Sequence, residues 1–422
     1  MRAGSISRLL PLYLVVFMGF VGFSLMTTVF TPLLLDDQGG MLPASSSTGE
    51  RTVLLGLLLS LYPLAQFVGA PVIGALSDRF GRRPVLLCSL AASAAFYLLI
   101  ALALHLRSLP LLMLASLLAG FSEANIAIAQ SAIADVAPAA DRSRLFGYVY
   151  LSSSLAFVFG PLVGGKLADP AIVSSFSYPT PYLAVSGLLL ATLALTAARF
   201  RETHSPTAAG GLGLGRAFAN VGTAFAPGRL RPLFLSNFAL YLAIFGFFRL
   251  FPIYLVDHFE MSVSRESEFI AWVAVPIVVA NLGLVAMLAR RMDPRSLTQR
   301  FGLALAVCLV AVVIPRPEGA LWVTLAACAL ALAVCLPSMA AMISEAAAAE
   351  EQGSALGANQ SLQVGAEAVS GVGGGALAAI STALPLPVLG ALALLGSALL
   401  GRPAARAAVA PEETGAVEIT HA

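Results

Sequence analysis

Apolar runs of about 20 residues, parted by short polar clusters, recur twelve times along this chain, and that recurrence limits the fold more than any single motif does. A backbone inside a bilayer must satisfy its own amides, and a helix of about 20 residues does so across a hydrocarbon core about 30 Å thick. The runs are continuous rather than alternating, so they predict helices and not the strands of a barrel. Only 11% of the residues are charged, against about 25% in soluble domains, which makes this an integral membrane protein. The first run, Leu9 to Leu35, is too long for the apolar core of a signal peptide and has no small-residue cleavage site, so no cleaved leader is expected.

The predicted spans are 9–35, 52–76, 84–105, 109–134, 144–167, 181–199, 232–256, 268–289, 299–314, 319–343, 354–380 and 386–401. A Gly-rich, Arg-flanked stretch divides them six and six. This gives an N-terminal bundle over 1–200, a cytoplasmic linker over 201–230, a C-terminal bundle over 231–402 and a disordered tail over 403–422. With the N-terminus inside, 18 of the 24 basic residues fall in cytoplasmic segments and five in outer loops, so both termini are expected in the cytoplasm.

The halves also align internally. Setting Asp135 on Glu345 gives an offset of 210 residues, at which Gly147 meets Gly357, Gly164 meets Gly374 and Gly165 meets Gly375. That pattern predicts duplicated six-helix units with a site between them near the midplane. Cys88, Cys308, Cys328 and Cys335 lie within apolar runs and read as packing residues, with no disulfide framework and no metal site.

Between the second and third spans stands "GALSDRFGRRPVLL", residues 74 to 87. Gly74 allows close helix approach, Asp78 lies near a helix end, Gly81 allows a tight turn and Pro84 suits a first helical turn. Arg79, Arg82 and Arg83 add inside charge, but a charged loop alone does not explain the spacing of Gly, Asp, Gly, Arg and Pro. That spacing resembles the loop 2–3 signature of the major facilitator superfamily. "GPLVGG", with Gly160, Pro161, Gly164 and Gly165, is similar to the core of the antiporter motif in helix 5, with Ala156 where an earlier glycine is usual. Residues 132 to 165 around it resemble helices 4 and 5 of the tetracycline-resistance-like drug:proton antiporters.

The resemblance implies an all-α membrane protein of twelve transmembrane helices in two pseudo-symmetric six-helix bundles, the major facilitator fold. It implies a conformational latch in which Asp78 meets the inner end of helix 11 and a loop arginine pairs with Asp135. Helix-end solvation is the plain alternative for both acids. The chain also departs from the pattern. Ser116 stands where many antiporters carry an arginine, helices 1 and 3 lack the acids of tetracycline exporters, and "LARRMDPRSLTQRF" is a decayed second signature.

Three ionisable residues lie well inside spans: Glu123 in helix 4, Arg249 in helix 7 and Glu367 in helix 11. A charge facing lipid at the centre costs at least about 2.5 kcal/mol, so each is expected to face protein or water. Glu123 is about twelve residues from either end of its span, near the midplane. A carboxylate there, kept from bulk water, suits proton uptake and release. Glu123 and Glu367 are the proton-coupling candidates. Glu123, Arg249, Asn125, Asn237, Tyr241 and Gln363 are the substrate-binding candidates. Arg249 has three readings: an anion contact, a partner of Glu123 in one state, or half of a permanent Glu123–Arg249 pair. Glu367 either biases the contact between the halves or is satisfied by a neighbour such as Gln66.

No GxxxxGK[ST], HExxH or GxSxG motif occurs, so ATP hydrolysis and these hydrolytic chemistries are not expected, and the chain reads as no enzyme. A net charge of +2, carried by inside loops, implies no nucleic acid. The expectation is a monomeric proton-coupled carrier in a bacterial inner membrane, without cofactor, exporting drug-like or amphipathic small molecules under the proton gradient. The rivals are a symporter importing an anionic metabolite or siderophore, and a membrane sensor or lipid-moving protein on the same scaffold.

Overall fold

The computed structural model describes residues 3–35, 41–136, 142–203, 228–314, 317–347 and 352–401. The expected linker therefore lies mostly, and the expected tail wholly, outside the described residues. Twelve helices are described: α1 (Ala3–Leu35), α2 (Thr48–Phe80), α3 (Arg82–His105), α4 (Leu109–Val136), α5 (Arg142–Ala168), α6 (Thr180–Arg199), α7 (Arg231–Phe259), α8 (Val263–Ala289), α9 (Pro294–Val312), α10 (Gly319–Ala346), α11 (Gln352–Ala378) and α12 (Pro385–Gly401). Ten are long and apolar enough to cross a membrane; α12 has 17 residues, and α11 carries Asn359, Gln360, Gln363 and Glu367. Val307 and Val323 are 71% and 73% exposed, which suits a lipid-facing surface.

Local chemistry sets where the helices start. Ser47 caps α2 by accepting from the Glu50 amide at 3.2 Å, while the Glu50 carboxylate accepts from the Ser47 amide at 3.1 Å. Ser262 and Asp293 cap α8 and α9 in the same way, accepting from the amides of Arg265 and Ser296. Gly81 separates α2 from α3 with φ +98°, a conformation that favours glycine. Two spans are not plain α-helix: α4 tightens to a 3₁₀ turn over Glu123–Asn125, and α8 widens to a π turn over Ala280–Leu284. The sequence reads as continuous helix at both places.

The helices pack as two six-helix bundles with the same pairing scheme. In the first, α1 lies on α5, and α3 on α4 and α6; in the second, α7 lies on α11, and α9 on α10 and α12. The 210-residue offset has a structural counterpart. A Cβ built on Gly164 of α5 would meet Leu25 of α1 at 3.2 Å, and one built on Gly374 of α11 would meet Leu250 of α7. The next glycine in each half faces the other half: Gly165 opposes Val263 and Ser267 of α8, and Gly375 opposes Thr52 and Gly56 of α2. Equivalent glycines thus do equivalent work, one closing each bundle and one joining the two.

These joints lie away from the end where α1 begins and α12 finishes. At this far end, Gly56 and Gly375 bring α2 and α11 into backbone contact, and the Ser60 hydroxyl donates to the Ala368 carbonyl at 2.9 Å. On the other side, Lys166 of α5 bonds Ser264 and Glu268 of α8 at 2.6 and 2.7 Å. Arg265 extends that network to Glu268 and Glu318. At the near end, a side chain added at Gly74 would meet nothing within 4 Å among the described residues.

Candidate functional site

Glu123 sits inside the N-terminal bundle at 1% exposure. The 3₁₀ turn ends the upper part of α4 at this residue and aims its carboxylate toward α1, α2 and α3. The Tyr62 hydroxyl of α2 donates to Oε2. Oε1 and the Tyr97 hydroxyl of α3 lie together beside the space that a Cβ on Gly22 of α1 would fill, so a second phenol stands next to the carboxylate. Glycine at that position makes the room. Gln66 donates to the Glu123 backbone carbonyl at 3.5 Å, and the Ser93 and Ser122 hydroxyls bond at 2.8 Å beside it. The result is a sealed carboxylate between two phenols, with Tyr62 on Oε2 and Tyr97 on the side of Oε1.

Arg249 is not the partner of Glu123. Its guanidinium pairs with Glu367 of α11, Nη2 to Oε1 at 3.0 Å, and Nη1 donates to the Leu59 carbonyl of α2. The Phe23 ring covers it at 5.4 Å. Arg249 is 2% exposed, whereas the Glu367 side chain is 14% exposed. Of the three readings of Arg249, the pair with Glu123 is not formed in this state, because the guanidinium is taken up by Glu367 and the Leu59 carbonyl. Gln66, considered as a neighbour of Glu367, instead serves Glu123. A buried pair of this kind is favourable only when its remaining donors and acceptors are met, and the Leu59 carbonyl meets one of them.

Above this pair lies a feature that single-residue reasoning missed. Phe20 and Phe23 of α1 stand 5.8 and 6.0 Å from Phe157 of α5, and Phe157 lies 6.1 Å from Phe248 of α7, so the aromatic chain crosses from one half to the other. The internal repeat held the signal. Leu25 and Leu250 contact equivalent glycines, so Phe23 and Phe248, two residues earlier in each helix, are matched positions. Phe157 and Glu367 are matched by the 210-residue offset. Together these residues form an aromatic wall with one ion pair at its edge, a surface suited to a flat apolar molecule with a polar end.

The other candidates fall elsewhere. Asn237 and Tyr241 are buried within the C-terminal bundle, where Asn237 donates to Asn359 at 2.8 Å and to the Met339 carbonyl at 3.2 Å, and Asn359 donates to Tyr241 at 2.8 Å. They tie α7, α10 and α11 together and do not face the aromatic wall. Asn125 is buried in the 3₁₀ turn, and Gln363 is half-buried one turn inward of Glu367. Gly160 packs against Ser24 of α1, and Pro161 lies within α5.

At the near end, Arg82 makes three contacts: Nη1 with Ser77 and Asp78, both at 2.6 Å, and Nε with Asp135 of α4 at 3.3 Å. An Arg82–Asp135 pair is present, whereas Asp78, near the end of α2, is bound to Arg82 at the start of α3 and is 57% exposed. Arg79 lies over the Phe80 ring. A residue not foreseen completes the group. The carboxylate of Glu202, just past α6, accepts from the amides of Arg82 at 2.9 Å and Arg83 at 3.0 Å, capping α3 from 120 residues away. Arg83 also donates to the Ala197 carbonyl of α6 at 2.8 Å. Among the described residues, no group of three His, Cys, Asp or Glu side chains is placed to hold a metal ion.

Comparison with known proteins agrees with this architecture. The family model of the Major Facilitator Superfamily matches residues 12–371. The tetracycline resistance protein of class H from Pasteurella multocida is 38% identical over 149 residues, 35% of each chain. The class B protein from Escherichia coli is 39% identical over 150 residues, 36% of this chain and 35% of that one. The match thus spans about a third of the length of these curated relatives. Among solved structures, the human organic anion transporter MFSD10 (TETRAN) is similar with a TM-score of 0.66 at 22% identity, covering 93% of this chain and 99% of that one. A D-xylose–proton symporter gives a TM-score of 0.70 at 17% identity, covering 93% and 97%. At these identities the solved structures speak to the fold alone. The twelve paired helices and a family match over most of the chain lead to one conclusion: this protein belongs to the Major Facilitator Superfamily and is a multi-pass membrane protein.

Proposed function

We propose that the protein is a proton-coupled exporter of drug-like, amphipathic small molecules, working by alternating access in a bacterial inner membrane. The observation that carries the reading is Glu123, a carboxylate sealed in a bundle interior between the phenols of Tyr62 and Tyr97 and kept from bulk water. The likeness to tetracycline resistance proteins supports the choice of substrate class. So does the aromatic wall of Phe20, Phe23, Phe157 and Phe248.

In this reading the near end is cytoplasmic, as the basic residues indicate, and the joints at the far end belong to an inward-facing state. Substrate enters from the cytoplasm and lies against the aromatic wall. Rocking breaks the far-end joints and opens the cleft outward. A proton taken by Glu123 from the outside favours the return. Proton and substrate need not share a residue; each needs only to favour a different state of the same two-state equilibrium. The carrier acts as a monomer, since one chain contains both halves and the cleft, and it uses no cofactor beyond the gradient.

The anion-import reading asks Arg249 to bind a carboxylate or phosphate. Its charge is already taken up by Glu367 and its Nη1 by the Leu59 carbonyl, which weighs against that role. The test is gradient-driven flux in vesicles with cationic, neutral and anionic compounds. Glu123→Gln is expected to bring gradient-driven export to background while downhill exchange of the same compound continues. Full gradient-driven transport by the variant would end the assignment.

A further inference from the structure

We propose that Glu266 is a second proton-binding site, housed in the far-end joint between the halves, and that the joint closes only when the proton is in place. This rests on the proton-coupled reading above and adds a second point at which the proton acts.

Glu266 lies in the first turn of α8, is 0% exposed, and among the described residues neither of its carboxylate oxygens has a hydrogen-bond partner. Its place on the helix is fixed by its neighbours. Val263 and Ser267 face Gly165 of α5, while Phe269 packs on Trp322 of α10 at 4.5 Å. At 100° per residue, Glu266 falls between those two faces, on the side turned to α1 and α7. It is therefore enclosed by the contact that shuts the far end.

The charged groups nearby are committed elsewhere. On α8 itself, Arg265 is bound to Glu268 and Glu318, the latter at the start of α10. Lys166 of α5 holds Ser264 and Glu268. On α7, Asp257 accepts from Thr382 at 2.5 Å and His258 stacks on Tyr254, while Glu260 follows the helix on the exposed surface. The far half of α1 carries no charge and offers threonines, of which Thr28 and Thr31 donate to their own helix. Cations are within reach of the joint, yet none is spent on Glu266.

An ionised carboxylate fully enclosed in that position, with no donor among the described residues, is costly, whereas the neutral acid fits. Separation of α5 and α8 would bring water to Glu266, which then gives its proton to the outside. Closing would require taking one back from the same side. That is the side from which an exporter driven by the proton gradient draws its protons.

The test uses the full-length protein in lipid nanodiscs, without substrate, with the native cysteines replaced and spin labels at Thr48 and Ser381 across α2 and α11. In the wild type, the closed-to-open ratio at the far end is expected to fall with rising pH, by up to about tenfold per unit where one proton accompanies closure. Glu266→Gln should stay closed throughout, Glu266→Asp should keep the dependence with its midpoint moved, and Glu123→Gln should keep it unchanged. A flat wild-type profile, or a Glu266→Gln profile that follows the wild type, overturns the proposal. If the glutamine variant does not fold, the aspartate variant decides: a moved midpoint supports the site and an unmoved one overturns it. If gradient-driven drug flux proves absent while the gate still answers to pH through Glu266, the export reading fails and the site stands.

Discussion

At the scale of the residue, the sequence places charges by depth but not by direction. A rise of 1.5 Å per residue is expected to put Glu123 near the midplane and Arg249 outward of it. Which neighbour each one faces depends on how the helices are turned about their axes, and one chain read alone does not contain that angle. Hence Arg249 meets Glu367 and not Glu123, and Gln66 meets Glu123 and not Glu367. Glu266 escaped notice because it lies at a helix end, where an acid is ordinarily solvated; only packing of α8 buries it. The same geometry makes Tyr62 a positioning residue for Glu123. Tyr62→Phe removes the donor to Oε2, a loss of about 1–3 kcal/mol for a buried polar group. Gradient-driven transport is expected to fall by about tenfold with substrate affinity unchanged; a weakened affinity with normal coupling would instead assign Tyr62 to the substrate.

At the scale of the element, apolar runs and the loop 2–3 spacing were enough to place twelve helices, most within a few residues. The ends of α2 were underestimated, since capping by Ser47 and continuation to Phe80 carry it beyond the apolar stretch. At 33 residues it is about 50 Å long, well past a hydrocarbon core of about 30 Å. The 3₁₀ turn at Glu123 left no trace in the sequence because no proline or glycine marks it. The repeat offset was more informative, since it identified two glycines that prove to be joints. A Cβ on Gly375 would lie 2.6 Å from the Thr52 carbonyl oxygen and 3.0 Å from Gly56 Cα, and backbone does not yield as a side chain can. Gly375→Val is therefore expected to disfavour far-end closure by about 1–3 kcal/mol, the range for overpacking. Spin-label distances across α2 and α11 should lengthen; an unchanged distribution would mean that this contact does not set the state.

At the scale of the whole molecule, the two halves are alike in plan and unlike in chemistry. Pairing of α1 with α5 is repeated by α7 with α11, yet the sealed carboxylate belongs to the first half and the buried arginine–glutamate pair to the second. A duplicated scaffold thus carries different charges in equivalent space, with Phe157 in one half standing where Glu367 stands in the other. The aromatic wall crosses from one half to the other, so in the proposed alternating-access cycle rocking would have to remake it.

The far-end joints differ in the same way, and the difference has a consequence for how the gate yields. On one side, glycine backbones of α2 and α11 touch; on the other, Lys166, Glu268, Arg265 and Glu318 form a partly exposed ionic chain. Mobile ions screen the second contact, with a Debye length falling from about 10 Å at 0.1 M to about 3 Å at 1 M, and leave the first untouched. Raised salt should therefore lengthen label distances across α5 and α8 before those across α2 and α11; equal responses on both sides would refute the distinction. The outer medium would then act as a tuning agent in its own right: in brackish surroundings the carrier swings from one fixed hinge with its catch already loosened.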